Sequence, residues 1–189
     1  MTRTASVLTA AALAAAVGLT ACSDGAATPS ETEDPTSAAS DAGFTLTVPN
    51  GWEATGETDA GEHRWIGPVQ DDGTRLGLSV SVRCLQIPFA DAADRLQGPE
   101  GNWSDYELVG DPEDVDVSGA AEAVLWHSQY TLPDPQNDGA RARLYSDQLL
   151  ASADDGTAVL VKVEGRDLWF DPELAATTLA SVAIAPTGC

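Results

Sequence analysis

Phe44-Thr45-Leu46-Thr47-Val48-Pro49-Asn50-Gly51-Trp52 is the stretch on which the reading of the fold turns. Phe44, Leu46 and Val48 alternate with Thr45 and Thr47. A period of two places one row of side chains against a core and the other toward water, as in a half-buried strand. Pro49-Asn50-Gly51 then ends the strand, since proline lacks an N–H for a ladder and Asn and Gly tolerate positive φ. Trp52, just past that turn, is a core candidate.

The same period recurs along the chain. His63 to Val69 is a second short strand, closed by Asp71-Asp72-Gly73. In Arg75 to Leu85, the residues Leu76, Leu78, Val80, Val82 and Cys84 point one way, and Arg75, Gly77, Ser79, Ser81 and Arg83 the other. Tyr106 to Val109 suggests a short strand, and Asp111 to Ser118 carries turn signals. Ala121 to Leu132 is a long strand with Val124, Trp126, Tyr130 and Leu132 on one face and His127, Gln129 and Thr131 on the other. Ala140 to Ser152 and Thr157 to Glu164 form a hairpin around Asp155-Gly156. Two segments change period. Phe89, Ala92, Ala93 and Leu96 fall on one helical face, and a last helix opens with Asp171 as cap, Pro172 at its first position and Glu173 in its first turn. Leu174, Thr178, Leu179 and Val182 supply its apolar face. The result is an α+β domain, an antiparallel sheet with helices packed on it.

The opening nonapeptide resembles the F-x-[LIV]-x-[VY]-P-x-G-W start of PsbP-like domains, and Pro172 to Val182 resembles their closing helix. The layout over roughly residues 43–185 is also similar to that of small actinobacterial cell-envelope lipoproteins of the LpqN type. The resemblance implies a PsbP-like α/β/α sandwich. It implies no activity, because members of that fold do different things.

Upstream of the domain, Arg3 begins an export-type leader whose apolar run from Ala5 ends in Leu19-Thr20-Ala21-Cys22. Those four residues read as a bacterial lipobox, so residues 1–21 are expected to be a lipoprotein signal peptide and Cys22 the lipidated first residue. The run is short for a membrane span and no basic flank follows it. Ser23 to Ala42 contains only Ser, Thr, Ala, Gly, Pro, Asp and Glu, too little apolar surface to offset ordering. It is expected to be a disordered acidic tether reaching roughly 25 Å. The expected organisation is therefore a leader over 1–21, a lipidated linker over 22–42 and a globular domain over 43–189. The protein is expected at the outer face of the cytoplasmic membrane, held by palmitate-class lipid. With Cys22 acylated, the chain's 3 cysteines leave Cys84 and Cys189. Outside the cytoplasm these form a candidate disulfide, with loop closure contributing on the order of 4 kcal/mol; the alternative is two unpaired small hydrophobes.

The chain holds 9 Lys+Arg against 30 Asp+Glu, a formal net charge of −21, and Lys162 is its one lysine. That balance excludes nucleic acid and a polybasic contact with anionic lipid, and it leaves the lipid on Cys22 as the membrane attachment. No G-x-S-x-G occurs, and the two histidines, His63 and His127, stand in no triad spacing. No C-x-x-C or H-x-x-x-H occurs, and the acidic run Asp111, Glu113, Asp114 and Asp116 lacks the D-x-D-x-D-G pattern of a calcium loop. The expectation is no enzyme, no cofactor and no metal. Candidate binding residues are Trp103 and Trp169, in loop-like sequence where a tryptophan can anchor a partner, and Arg75 and Arg83, opposite the apolar row, where an anion can bind. The expected role is a non-enzymatic accessory or protein-interaction domain of the cell envelope. The alternative is a binding protein for a small or lipidic ligand held between sheet and helix.

Overall fold

The stretch Phe44–Val48 forms a strand whose first, third and fifth residues are buried, as its alternation requires. The computed structural model describes residues 36–39, 43–57, 61–68, 78–96, 98, 103–134, 139–153, 156 and 158–185. All of them belong to one unit, Glu33–Cys189. In chain order the elements are β1 Thr36–Ala39, β2 Phe44–Val48, β3 Glu53–Glu57, β4 Glu62–Ile66, β5 Ser79–Leu85, α1 Phe89–Leu96, β6 Ser104–Leu108, β7 Glu113–Asp114, β8 Glu122–Pro133, β9 Arg141–Ser152, β10 Ala158–Arg166, α2 Pro172–Ala180 and β11 Ala183–Ile184.

The large sheet runs β3-β4-β5-β10-β9-β8-β6, with β7 also on β8, and every pairing in it is antiparallel. A small sheet, β1-β2-β11, stands apart from it. Alternation along the central strands sends neighbours to opposite faces. Leu149 joins Val80, Val82, Val161 and Val163 in a core closed by Phe44, Leu46 and Val48 of β2 and by Ala175 and Leu179 of α2. Leu150, the next residue, joins Val124, Trp126 and Leu160 in a second core closed by Ala92 and Leu96 of α1. The domain is therefore α+β, with a helix on each face of an antiparallel sheet, the class expected from sequence.

Local chemistry explains the ends of the elements. Asp171 Oδ1 accepts from the N–H groups of Glu173 at 3.0 Å and Leu174 at 3.1 Å, and Pro172 supplies an N–H-free first position. At the other end of α2, the Ser181 hydroxyl oxygen accepts from Thr47 N–H at 2.8 Å, which ties the helix to β2. The hairpin between β9 and β10 turns at Gly156, with φ +83°.

Two expectations need correction, and one strand was not anticipated. Thr36–Ala39 falls inside the stretch expected to be a disordered tether, yet it pairs with β2 from Thr36↔Val48 to Ala39↔Thr45. Strand addition draws on main-chain hydrogen bonds, so a Thr-Ser-Ala-Ala segment with no apolar row can still join a preformed edge. Glu53–Glu57 carries no strand signal for the same reason. It is exposed over residues 53–56 and held to β4 through its backbone, with a register irregularity near Gly56. Glu113 and Asp114 lie in a two-residue strand within the predicted turn region. The leader over 1–21, Cys22, Cys189, Arg75 and the turn Asp71-Asp72-Gly73 lie outside the described residues.

Gly119 joins the two sheets' neighbourhoods where Ile184 N–H donates to Ser118 C=O at 2.8 Å. Its φ is +79°, and a Cβ there would meet the Ile184 carbonyl oxygen at 2.0 Å. Gly119→Ala is expected to lower stability by upward of about 1 kcal/mol, since both backbone conformation and space oppose it. Urea denaturation followed by tryptophan fluorescence checks this. Gly139→Ala is the comparison, because its φ is +76° but nothing stands within 4 Å of the added carbon. Equal losses at the two positions would show that the close approach to Ile184 contributes nothing.

Candidate functional site

The face of the large sheet that carries α1 is only partly covered. α1 has 8 residues, and β8 and β9 have 12 each. At 1.5 Å per helical residue and about 3.3 Å per strand residue, a helix of roughly 12 Å lies on strands of roughly 40 Å. The uncovered half is polar. Reading across it in register, Arg64 of β4 stands opposite Ser81 of β5, Ser81 opposite Lys162 of β10, Lys162 opposite Gln148 of β9 and Gln148 opposite Trp126 of β8. One row along, Glu62 faces Arg83; on the other side, Ser79 faces Glu164 and Glu164 faces Ser146.

These side chains enclose a cavity of about 110 Å³ between Glu62, Arg64, Arg83, Gln148, Lys162 and Glu164. Lys162 Nζ stands 2.5 Å from Glu164 Oε2, and Tyr130 donates its hydroxyl hydrogen to the same carboxylate. Tyr130 also stacks on Trp103 with ring centroids 3.9 Å apart and planes 6° apart, and Tyr106 flanks Trp103 at 5.8 Å. Lys162 Nζ lies over both rings, 4.8 Å from the Trp103 centroid and 5.7 Å from that of Tyr130. A cation over an aromatic face is held by the ring quadrupole. One lysine is thus fixed by a carboxylate on one side and two stacked rings on the other. Among the described residues, three buried polar atoms have no hydrogen-bond partner, and all belong to strands of this face: Arg83 Nε, Trp126 Nε1 and Ser146 Oγ.

The residues singled out from sequence fare differently. Arg83 lines the cavity. Trp103 does not line it but lies against Lys162, half-buried in a stack rather than free as a loop anchor. Trp169 is also half-buried, with the Arg166 guanidinium 5.7 Å from its ring centroid. Arg166 in turn donates to Asp134 at 2.8 Å. The exposed apolar side chain of that turn is Leu168, at 83%. His127 lies on the opposite face with Nδ1 2.7 Å from Oδ1 of Asp147, its register partner. His63 packs edge-on against Phe44, centroids 5.7 Å apart. Among the described residues no group of three or more His, Cys, Asp or Glu is arranged to hold a metal. Sequence reasoning missed Glu62, Arg64, Lys162 and Glu164. A signal existed: Lys162 and Glu164 follow an apolar run at alternate positions, which places both on one face of a central strand.

A second cavity, of about 200 Å³, opens on the other face. Val117 and Leu125 with Leu149 form one wall, and Ala176, Leu179 and Ala180 of α2 the other.

No family model matches the chain, and no curated protein matches it. Among solved structures it is similar to the Ran-binding protein Mog1p of Saccharomyces cerevisiae, at 11% identity and a TM-score of 0.47 over 77% of this chain and 92% of that one. It is similar to LpqN of Mycobacterium tuberculosis, described as involved in cell envelope biogenesis, at 14% identity and a TM-score of 0.47 over 77% and 87%. A Pseudomonas aeruginosa protein described as of unknown function matches at 17% identity and a TM-score of 0.42 over 71% and 84%.

Tyr130→Phe removes the hydroxyl that meets Glu164 while keeping the ring on Trp103. A hydrogen bond to a charged group contributes about 1.5–3 kcal/mol, and the variant is expected to lose stability in that range. Chemical denaturation measures it. A loss below about 0.5 kcal/mol would mean the Glu164 carboxylate does not depend on Tyr130.

Proposed function

We propose that this chain is a lipid-anchored protein of the bacterial cell envelope, exposed on the outer face of the cytoplasmic membrane. Its domain acts there without catalysis, as an accessory or protein-interaction module. The observation that carries the reading is Leu19-Thr20-Ala21-Cys22 at the end of an apolar run that Arg3 precedes. An apolar segment enters the export channel, small residues admit the peptidase, and the following thiol takes the diacylglyceryl group. The acidity supports the same reading: a chain of net charge −21 needs a covalent anchor to stay on an anionic surface. Within the domain, the ring of His127 is engaged by Asp147, and the ring of His63 packs on Phe44. Neither arrangement supplies the nucleophile that a hydrolase requires. Leu168, 83% exposed beside Trp169, is the apolar contact offered to a partner.

A second reading, a binding protein for a small or lipidic ligand, is favoured by one observation. The cavity under α2 lies between sheet and helix and is lined by Val, Leu and Ala side chains, with Asp116 at its edge. At about 200 Å³ it falls below the roughly 300–1,000 Å³ of pockets that enclose drug-sized ligands, so it suits one ring or the end of a chain. We also infer that Cys84 and Cys189 are bridged. Cys84 follows the apolar row of β5 near the sheet's end, and acylation of Cys22 leaves an even pair.

Two measurements test these readings. Cys22→Ala is expected to move the protein from the membrane fraction to the soluble exported fraction and to abolish labelling by a palmitate analogue; unchanged fractionation would refute the anchor. Thiol titration of the denatured, unreduced protein should return no free thiol, and two after reduction. Two thiols before reduction would exclude the bridge.

A further inference from the structure

We propose that the open polar half of the sheet is a binding site for a singly charged oxyanion, the carboxylate or phosphate group of a small molecule. It is separate from the apolar cavity under α2, which lies on the opposite face.

The charge distribution comes first. The chain carries 9 basic residues at a net charge of −21, yet Arg64, Arg83 and Lys162 line one cavity of about 110 Å³. They come from three adjacent strands, β4, β5 and β10, so the sheet's pairing fixes their spacing. Their like charges repel, an arrangement that serves stability poorly and an anion well. Lys162 is engaged by Glu164. The guanidiniums are not: Arg64 donates to the Ser79 hydroxyl at 3.2 Å, and among the described residues neither Arg64 nor Arg83 is in an ion pair.

The second observation is independent of charge. Arg83 Nε is buried without a hydrogen-bond partner. On the same face, beside Glu164 in register, Ser146 is 0% exposed and its hydroxyl also lacks a partner. Buried polar groups are almost always paired, and an orphaned N–H of a cation is among the costlier exceptions. An oxyanion accepting from Arg83 Nε relieves that cost. The guanidinium fork matches two oxygens of a carboxylate or phosphate, which an ammonium cannot do.

The lining also sets the class of ligand. Glu62 and Glu164 face the same cavity, so three cations and two carboxylates leave one net positive charge. A monoanion balances it; a polyanion meets the two carboxylates and the acidic field of the whole domain. The volume accepts a head group of a few heavy atoms, well short of a nucleotide. Such a group can arrive on a soluble metabolite or on a phospholipid head.

The full-length protein in non-ionic detergent is titrated calorimetrically at pH 6 and constant ionic strength with sodium acetate, sodium phosphate and short-chain phosphatidylglycerol. At least one is expected to saturate. Acetate or phosphate saturating identifies a soluble anion as the source; phosphatidylglycerol alone saturating identifies a lipid head. Arg83→Gln and Arg64→Gln should each weaken binding at least tenfold, and Arg83→Lys should not restore it fully. Arg95→Gln, on the exposed side of α1, should leave it within twofold. If Arg83→Gln fails to fold by circular dichroism, the exposed Arg64→Gln carries the comparison. No saturation by any of the three, or an equal loss in Arg95→Gln, overturns the proposal.

Discussion

The domain depends on one constraint: β9 is buried on both faces at once over its second half, as is β10 beside it from Ala158 to Val161. From Ser146 to Ser152 every residue of β9 is buried, and Leu149, Leu150 and Ala151 alternate between two separate cores. A one-residue slip would exchange Leu149 with Leu150 and mismatch both cores together, so the pairing with β8 and β10 is fixed from two sides. That rigidity makes the rest possible. The small sheet and α2 need only one apolar face each, and they find it on a surface whose register is already set.

The two faces are closed unequally. On one, α2 and β2 together bring Phe44, Leu46, Val48 and Leu179 over the valines of β5 and β10. On the other, α1 is too short to reach across, and polar side chains occupy what it leaves. Ser128, Ser146 and Gln148 are all buried on that side, where Gln148 donates to the Ser128 hydroxyl at 3.4 Å. A row of polar groups inside a central sheet loses apolar burial for the fold. It places charged and hydrogen-bonding groups on the most rigid part of the molecule, where a site keeps its geometry.

Alternation in the sequence is enough to read the long strands, the cap of α2 and the face on which Arg83 stands, because each rests on a local rule of period or capping. β1 and β3 are not readable in the same way. Their side chains carry no apolar row, and what holds them is the backbone of a neighbouring strand. The site is half readable. Arg83 declares itself by opposing an apolar row, whereas Arg64, Lys162 and Glu164 come together with it only through the strand order β4-β5-β10, which no local pattern contains. Trp103 stands out in sequence for its loop-like surroundings; its stacking on Tyr130 joins distant segments of the chain and depends on the β6–β8 pairing.

The four residue pairs of β1 on β2 have a mechanical meaning. Anything that pulls on the chain from its N-terminal side loads β1 before it loads any other described element. β1 lies at the edge of a three-stranded sheet, tied along one side only. Under tension it is placed to peel away while β2, locked by Phe44 and Leu46 in the core, stays put. A strand of four residues held along one edge is the kind of element that opens locally before the core does. The first strand of the domain is thus the described element that any load from the N-terminal side meets before the sheet that carries the sites.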